Sequence, residues 1–99
     1  MLDTLTAATF APLVGEPFVV VVDPAHAFEV RLCELTPWGE EHSPSEGRTP
    51  FTLLFHAPFE ARVPQRIYRL VSDHLPPLDL FMVPLGPDPV GMRYEVVFA

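Results

Sequence analysis

Lysine is absent from this chain, and its basic side chains are six arginines: Arg31, Arg48, Arg62, Arg66, Arg69 and Arg93. Against 13 acidic residues they leave a formal charge of −7. Phosphate backbones and anionic lipid surfaces call for a positive field, so nucleic acid and membrane are excluded as default partners. Arg62, Arg66 and Arg69 lie close together, and that spacing reads as a solvated strand edge. Cysteine occurs once, at Cys33, so no intrachain disulfide can form. Its apolar neighbours in a predicted strand mark it as an inert buried filler, because a reactive thiol needs a basic neighbour and access. No apolar run approaches the roughly 20 residues of a membrane span. The opening MLDTLTAATFAPLVG lacks the basic n-region and long apolar h-region of a secretory signal. The expected location is the cytoplasm, from which a partner could carry the protein elsewhere.

Chemical motifs are equally sparse. The chain has no H-E-x-x-H, P-loop, dinucleotide fingerprint or nucleophile elbow. His26, His42, His56 and His74 are scattered, with no two at a ligand spacing on one element, and Cys33 has no partner for a zinc set. Ser72, Asp73 and His74 are consecutive, and neighbours along a chain cannot present a working triad. Asp73 with His74 reads instead as turn chemistry. Asp79 and Glu95 fall on outward strand faces, where single carboxylates are solvated. The expectation is a protein that is not an enzyme and uses no metal or cofactor.

What the chain does have is a large apolar fraction, 48%, with 19% charged residues, a globular composition in a length of 99 residues. That length makes residues 1–99 one domain with a single modest core. The 13 prolines cut the chain into short segments and leave room for only a brief helix. Thr4 or Thr6 can cap that helix. Leu5, Phe10, Leu13 and Val14 form its apolar stripe, Pro12 limits it to a couple of turns, and Gly15 ends it. Such a helix plugs the end of a barrel or covers a sheet edge, docking here through Phe10 and Leu13.

Strand signals follow. The continuous run Phe18 to Val22 predicts a strand buried on both faces or covered by the helix. Phe28 to Leu35 alternates, with Phe28, Val30 and Leu32 on one face and Glu29, Arg31 and Cys33 on the other; Leu35 breaks the phase, as a bulge or strand end would. The segment DPAHA between them is a short hairpin link. In FTLLFHAP, Phe51, Leu53 and Phe55 point inward, each contributing about 1.5 to 3 kcal/mol on burial. Ile67 to Val71, Leu78 to Val83 and Tyr94 to Phe98 form a three-stranded antiparallel meander, linked by DHLPPL and by PLGPDPVGM. The sum is a mainly β fold of about six mostly antiparallel strands with a short N-terminal helix. It closes as a small barrel or a two-sheet sandwich, and the pattern does not choose between them.

The segment from Pro37 to Pro50, PWGEEHSPSEGRTP, is the one long irregular stretch and the best candidate contact loop. Within it Trp38, Glu40, Glu41, His42 and Arg48 are the candidate partner contacts, tryptophan being enriched at interface hot spots, although Trp38 reads first as a cover over the end of the core.

Five segments, LTAATFAPLVGEPF, FTLLFHAP, VPQRIYRL, LDLFMVPLGP and MRYEVVF, give the chain a resemblance to a family of small uncharacterised bacterial β-rich domains. The likeness spans nearly all of it outside the 37–50 loop. Members of that family look to be encoded near phage tail-collar-like proteins, so the resemblance implies an appendage component or assembly partner and transfers no site residue. The leading expectation is a non-catalytic protein-interaction module, an assembly factor or minor subunit of a phage-tail-like or fibre-like structure, with a tail-collar-like fibre protein as partner. The alternative is a barrel holding a small apolar ligand among Phe51, Phe55, Tyr68 and Phe98. Homo-oligomerisation through an uncapped strand edge, such as Phe18 to Val22, is a further expectation.

Overall fold

Period-two alternation runs through six segments and turns one apolar face of each toward a shared interior. In the computed structural model, which describes residues 5–37 and 50–98, these are β1 (Pro17–Asp23), β2 (His26–Pro37), β3 (Phe51–Ala57), β4 (Arg66–Val71), β5 (Leu78–Pro87) and β6 (Met92–Phe98). All adjacent pairs are antiparallel, and they close in the order β1-β2-β3-β6-β5-β4. The structure thus decides for the barrel over the sandwich. Two meanders, β1-β2-β3 and β4-β5-β6, join side by side, and the seam pairs Val19 with Val71, Val20 with Leu70 and Val21 with Arg69.

Closure gives the sheet one inside and one outside. Phe18, Val20, Val30, Leu32, Phe51, Leu53, Phe55, Tyr68, Leu70, Leu80, Met82, Tyr94, Val96 and Phe98 all point inward and are buried. Among the described residues every buried side chain is apolar or a tyrosine. The rings interlock: Phe51 stacks on Phe98 with centroids 4.6 Å apart, and Phe18 meets Phe55 edge-on at 5.4 Å.

Two expectations about β1 are corrected. It is not buried on both faces, for Val19 is exposed and Val21 half-buried, since the outer wall of a small barrel meets solvent. Nor is it an open edge, because it pairs with β2 on one side and β4 on the other. Its β-branched run reflects the fit of such side chains to a pleated surface rather than two-sided burial.

Each barrel end is closed differently. Before β1, a helix α1 (Ala7–Phe10) runs into one turn of 3₁₀ helix over Ala11–Leu13. Thr6 is its N-cap residue, with its amide donating to Thr9 Oγ1 at 3.1 Å. Pro12 falls within the 3₁₀ turn, and Gly15 ends the segment at φ +97°, a left-handed position that favours glycine. Phe10 and Leu13 are buried as plugs, with the Phe10 ring 5.9 Å from Phe51 and 5.5 Å from Phe98. At the other end residues 58–65 cross from β3 to β4, which are not neighbours in the barrel. Side-chain hydroxyls hold this crossing. Tyr94 Oη donates to Ala61 O at 2.6 Å and accepts the Val63 amide at 3.0 Å, while Tyr68 Oη donates to Pro64 O at 2.6 Å.

The turns are tied by local polar groups. Asp23 Oδ1 accepts the Ala25 amide at 2.8 Å and lies 2.8 Å from His26 Nδ1, which keeps the β1–β2 link tight. Between β4 and β5 it is Ser72 Oγ that accepts the His74 amide, at 3.2 Å, in the turn where Asp73 was the expected acceptor. No helix among the described residues is long and apolar enough to cross a membrane.

Candidate functional site

Two β-bulges build a polar cluster on the outer wall. In the β2–β3 ladder Leu32 faces Phe55 and Glu34 faces Leu54, so Cys33 is the extra residue of a bulge. Here is the expected break in phase, two residues before Leu35. The bulge leaves Leu32 inside and directs Cys33 along the outer surface toward β3. There it meets His56, which alternation on β3 places outward between Phe55 and Ala57, both buried. Cys33 Sγ lies 2.8 Å from His56 Nδ1.

The second bulge carries the third member. On β5, Pro84 faces Tyr94 and Gly86 faces Arg93, leaving Leu85 as the extra residue. The strand then delivers Asp88 beside β3, where its Oδ2 sits 2.7 Å from His56 Nε2. Asp88 Oδ1 accepts the amides of Val90 at 2.8 Å and Gly91 at 3.0 Å, so its carboxylate folds the β5–β6 loop around itself. Gly91 is required for the fit: a Cβ there would lie 2.2 Å from the carbonyl oxygen of Ala57.

Electrostatics assign the protons. The hydrogen bond from His56, helped by the Gly91 and Val90 amides, holds the Asp88 carboxyl down to about 2 from its ordinary 3.8. An ionised carboxylate can only accept, so Nε2 of His56 donates to it. The Nδ1 of a neutral imidazole then carries the lone pair and accepts from the Cys33 thiol. Burial pushes the Cys33 thiol up, an effect opposed by the His56 backbone amide and by Arg31. His56 faces Arg31 across β2 and Arg93 across β6. Arg93 Nε is 4.0 Å from Asp88 Oδ2 and buried without a hydrogen-bond partner.

This cluster is a relay in a line, not a metal cage. Cys33 and Asp88 bond opposite sides of one imidazole and cannot converge on one ion. Among the described residues no group of three or more His, Cys, Asp or Glu side chains is placed to hold a metal. A groove of about 420 Å³ opens over the cluster, walled by Glu29, Arg31, Cys33, His56, Pro58 and Val90. A neighbouring groove of about 540 Å³ runs between the β1–β2 hairpin and the crossing segment, lined by Val22, Phe28, Pro58, Ala61 and Val63 among others.

The outer wall also carries an apolar row. Ile67 on β4, Phe81 on β5 and Val97 on β6 are 61%, 50% and 49% exposed. Ile67 directly opposes Phe81. Phe81 lies two residues before Val83 and Val97 two residues after Glu95, and Val83 opposes Glu95. From Val97 the row continues through Thr52 on β3 to Thr36 on β2. The bidentate pair Arg69–Asp79, at 3.0 and 3.2 Å, borders it.

The expected contacts Trp38, Glu40, Glu41, His42 and Arg48 lie outside the described residues. The arginine strip divides. Arg62 Nε donates to Phe59 O at 2.9 Å, Arg66 donates to Val22 O at 3.2 Å and lies over the Tyr68 ring, and Arg69 pairs with Asp79. His26, expected in a loop, is the first residue of β2, paired with Asp23 and largely exposed. Nothing in the local sequence marks Asp88 as a site residue, and Cys33 and His56 carry no signal singly. The available signal was that both alternate outward on strands consecutive in the chain.

No curated protein and no solved structure matches the chain. A family described as a domain of unknown function, DUF6916, matches residues 5–98. A match over almost the whole barrel, from the plugging helix to the last strand, places the chain in the DUF6916 family.

Proposed function

We propose that this domain is a protein-interaction module, an assembly factor or minor subunit of a phage-tail-like or fibre-like bacterial structure, and that it docks through the outer apolar row of β4, β5 and β6. The observation that carries this reading is the pairing of Ile67 with Phe81, and the placement of Val97 on the neighbouring strand β6, each about half exposed or more, on a wall whose inward face is already fully packed. Single exposed apolar residues are ordinary on protein surfaces, whereas a contiguous row with a polar border marks a contact site. Arg69–Asp79 and Glu95 supply that border. The partner class, a fibre protein of the tail-collar kind, comes from the resemblance of the chain's strand segments. Trp38 and the charged residues of the 37–50 loop are a second point of contact in the same reading.

A ligand inside the barrel is the less favoured alternative. It would have to displace rings that already stack at 4.6 Å, and barrels this narrow are filled by side chains.

The test uses a purified fibre protein with a tail-collar-like domain, encoded beside this domain, titrated calorimetrically with wild type, with an Ile67→Ser/Phe81→Ser double variant and with Trp38→Ala. Loss of two interface anchors is expected to weaken binding by about 2 kcal/mol or more, at an unchanged Tm. Equal affinity for wild type and the double variant would reject the docking face, and no binding to any of them would reject the partner class. Light scattering across concentration separates self-association from partner binding.

A further inference from the structure

The geometry points to Cys33 as a nucleophilic thiol that exchanges with low-molecular-weight disulfides of the amino-acid type, with His56 as its base and Asp88 as the residue that positions the base. The interaction reading neither uses nor requires this cluster.

Three features on the outer wall meet the demands of such a site. A nucleophile needs a base within hydrogen-bond reach and a third group that orients the base. The 2.8 Å contact from Cys33 Sγ to His56 Nδ1 and the 2.7 Å contact from His56 Nε2 to Asp88 Oδ2 supply both. The base must also present its lone pair to sulfur. Asp88, a carboxylate that two loop amides also bond, accepts a hydrogen bond from Nε2–H and leaves Nδ1 as the acceptor. Finally the sulfur must be reachable, and it lines the groove of about 420 Å³. The bulge that isolates Cys33 from the ladder gives its side chain this outward aim.

The walls of the groove define the substrate class. Glu29 and Arg31, of opposite charge, stand on one side, and Ala57, Pro58 and Val90 form an apolar side. Opposite charges beside a thiol suit the ammonium and carboxylate of a cysteine-containing amino acid or short peptide, Arg31 keeping donors beyond the one that it gives to Gly15 O. In the reaction the Cys33 proton passes to His56 Nδ1 as Sγ attacks one sulfur of the disulfide R–S–S–R. The S–S bond breaks, the new Sγ–S bond forms, and the departing R–S⁻ takes the proton back from the imidazolium and leaves as R–SH. No net redox change occurs beyond transfer of the disulfide. The negative charge that develops stays on sulfur while the imidazolium holds the proton, so base and acid are all that is needed. Because Cys33 is the chain's single cysteine, no second thiol in the chain can resolve the product. Cys33 would therefore carry the small thiol until another thiol removes it, a reversible modification rather than a turnover.

The experiment incubates the full chain with oxidised glutathione from pH 5 to pH 9 and follows the single-glutathione adduct by intact-mass spectrometry. The charged groups facing the pair are Asp88 from the β5–β6 loop, Arg93 from β6 and Glu29, Arg31 and Glu34 from β2. An unassisted thiol reacts about tenfold faster per pH unit below its pKa. Wild type, with His56 as base, is expected instead to depart from that log-linear climb and to react faster than an unassisted thiol at neutral pH. His56→Ala should slow adduct formation by about 10²-fold, the low end of what a positioned base contributes. Asp88→Asn should fall between the two and move the midpoint of the pH profile, which a merely structural role would not do. Circular dichroism checks that each variant is folded. If His56→Ala does not fold, the wild-type profile alone decides. A rate that climbs log-linearly with pH, a folded His56→Ala as fast as wild type, or no adduct at any pH would overturn the assignment.

Discussion

The two ends of the barrel are closed by opposite means. At the helical end Phe10 and Leu13 sink into a cluster of rings formed with Phe51 and Phe98, and the seal is apolar. At the far end residues 58–65 cross the opening and are held by the hydroxyls of Tyr68 and Tyr94, while Asp88 gathers the β5–β6 loop beside them. Apolar contact is non-directional and tolerates small shifts, whereas a hydrogen bond fixes an atom to a few tenths of an ångström. The helical end therefore supplies stability, and the crossing end supplies positions. His56 and Asp88 lie at the end where positions are set. Among the described residues both ends are closed and the interior is full, which leaves the outer wall as the free surface.

The largest effect should come from breaking the apolar seal. Phe10→Ala removes a fully buried ring and is expected to cost about 3–5 kcal/mol in denaturant unfolding. Gly91→Ala tests the positional end: its Cβ would collide with the Ala57 carbonyl, so the β5–β6 loop must move. A loss of about 1–3 kcal/mol is expected, together with a change in the His56 ring resonances as Asp88 withdraws. Tyr94→Phe leaves the Val63 amide and the Ala61 carbonyl unpaired while keeping the ring. It should cost about 1–2 kcal/mol and raise amide exchange in 58–65 without touching the helical end.

A smaller effect should follow pH. The Asp88 carboxyl is held near 2 in the folded state and returns to about 3.8 when unfolded, so its contribution is complete above about pH 5. That stability is lost as pH falls toward 2. Asp88→Asn should remove this part of the acid dependence, read as a flatter Tm against pH over that interval. The smallest effect belongs to Arg69→Ala. This exposed pair with Asp79 only borders the outer row, and Tm should stay within error of wild type.

Much of this architecture was legible in the chain. Alternation marked the inward faces of β2 through β6, proline and glycine marked the breaks, and Phe10 with Leu13 marked the plug. Strand order was not legible, because it depends on where residues 58–65 cross, and nothing in their local pattern states that they pass over an end rather than beside it. The Cys33–His56–Asp88 line was hidden for a related reason. Its members lie 23 and 32 residues apart, and their meeting depends on two one-residue bulges that set the register. β1 misled because a β-branched run looks the same whether its second face meets protein or water. The outer row is not legible in the sequence because Ile67, Phe81 and Val97 read as ordinary strand residues until the fold pairs Ile67 with Phe81 and sets β6 beside β5.

Hydroxyl-radical footprinting of the domain with the proposed fibre protein tests the outer wall as the docking face most directly. The prediction is protection of Ile67, Phe81 and Val97 on binding, with Phe59 and Val90, exposed at the crossing end, modified as in the free protein. Protection of Phe59 and Val90 with Phe81 left fully reactive would contradict it.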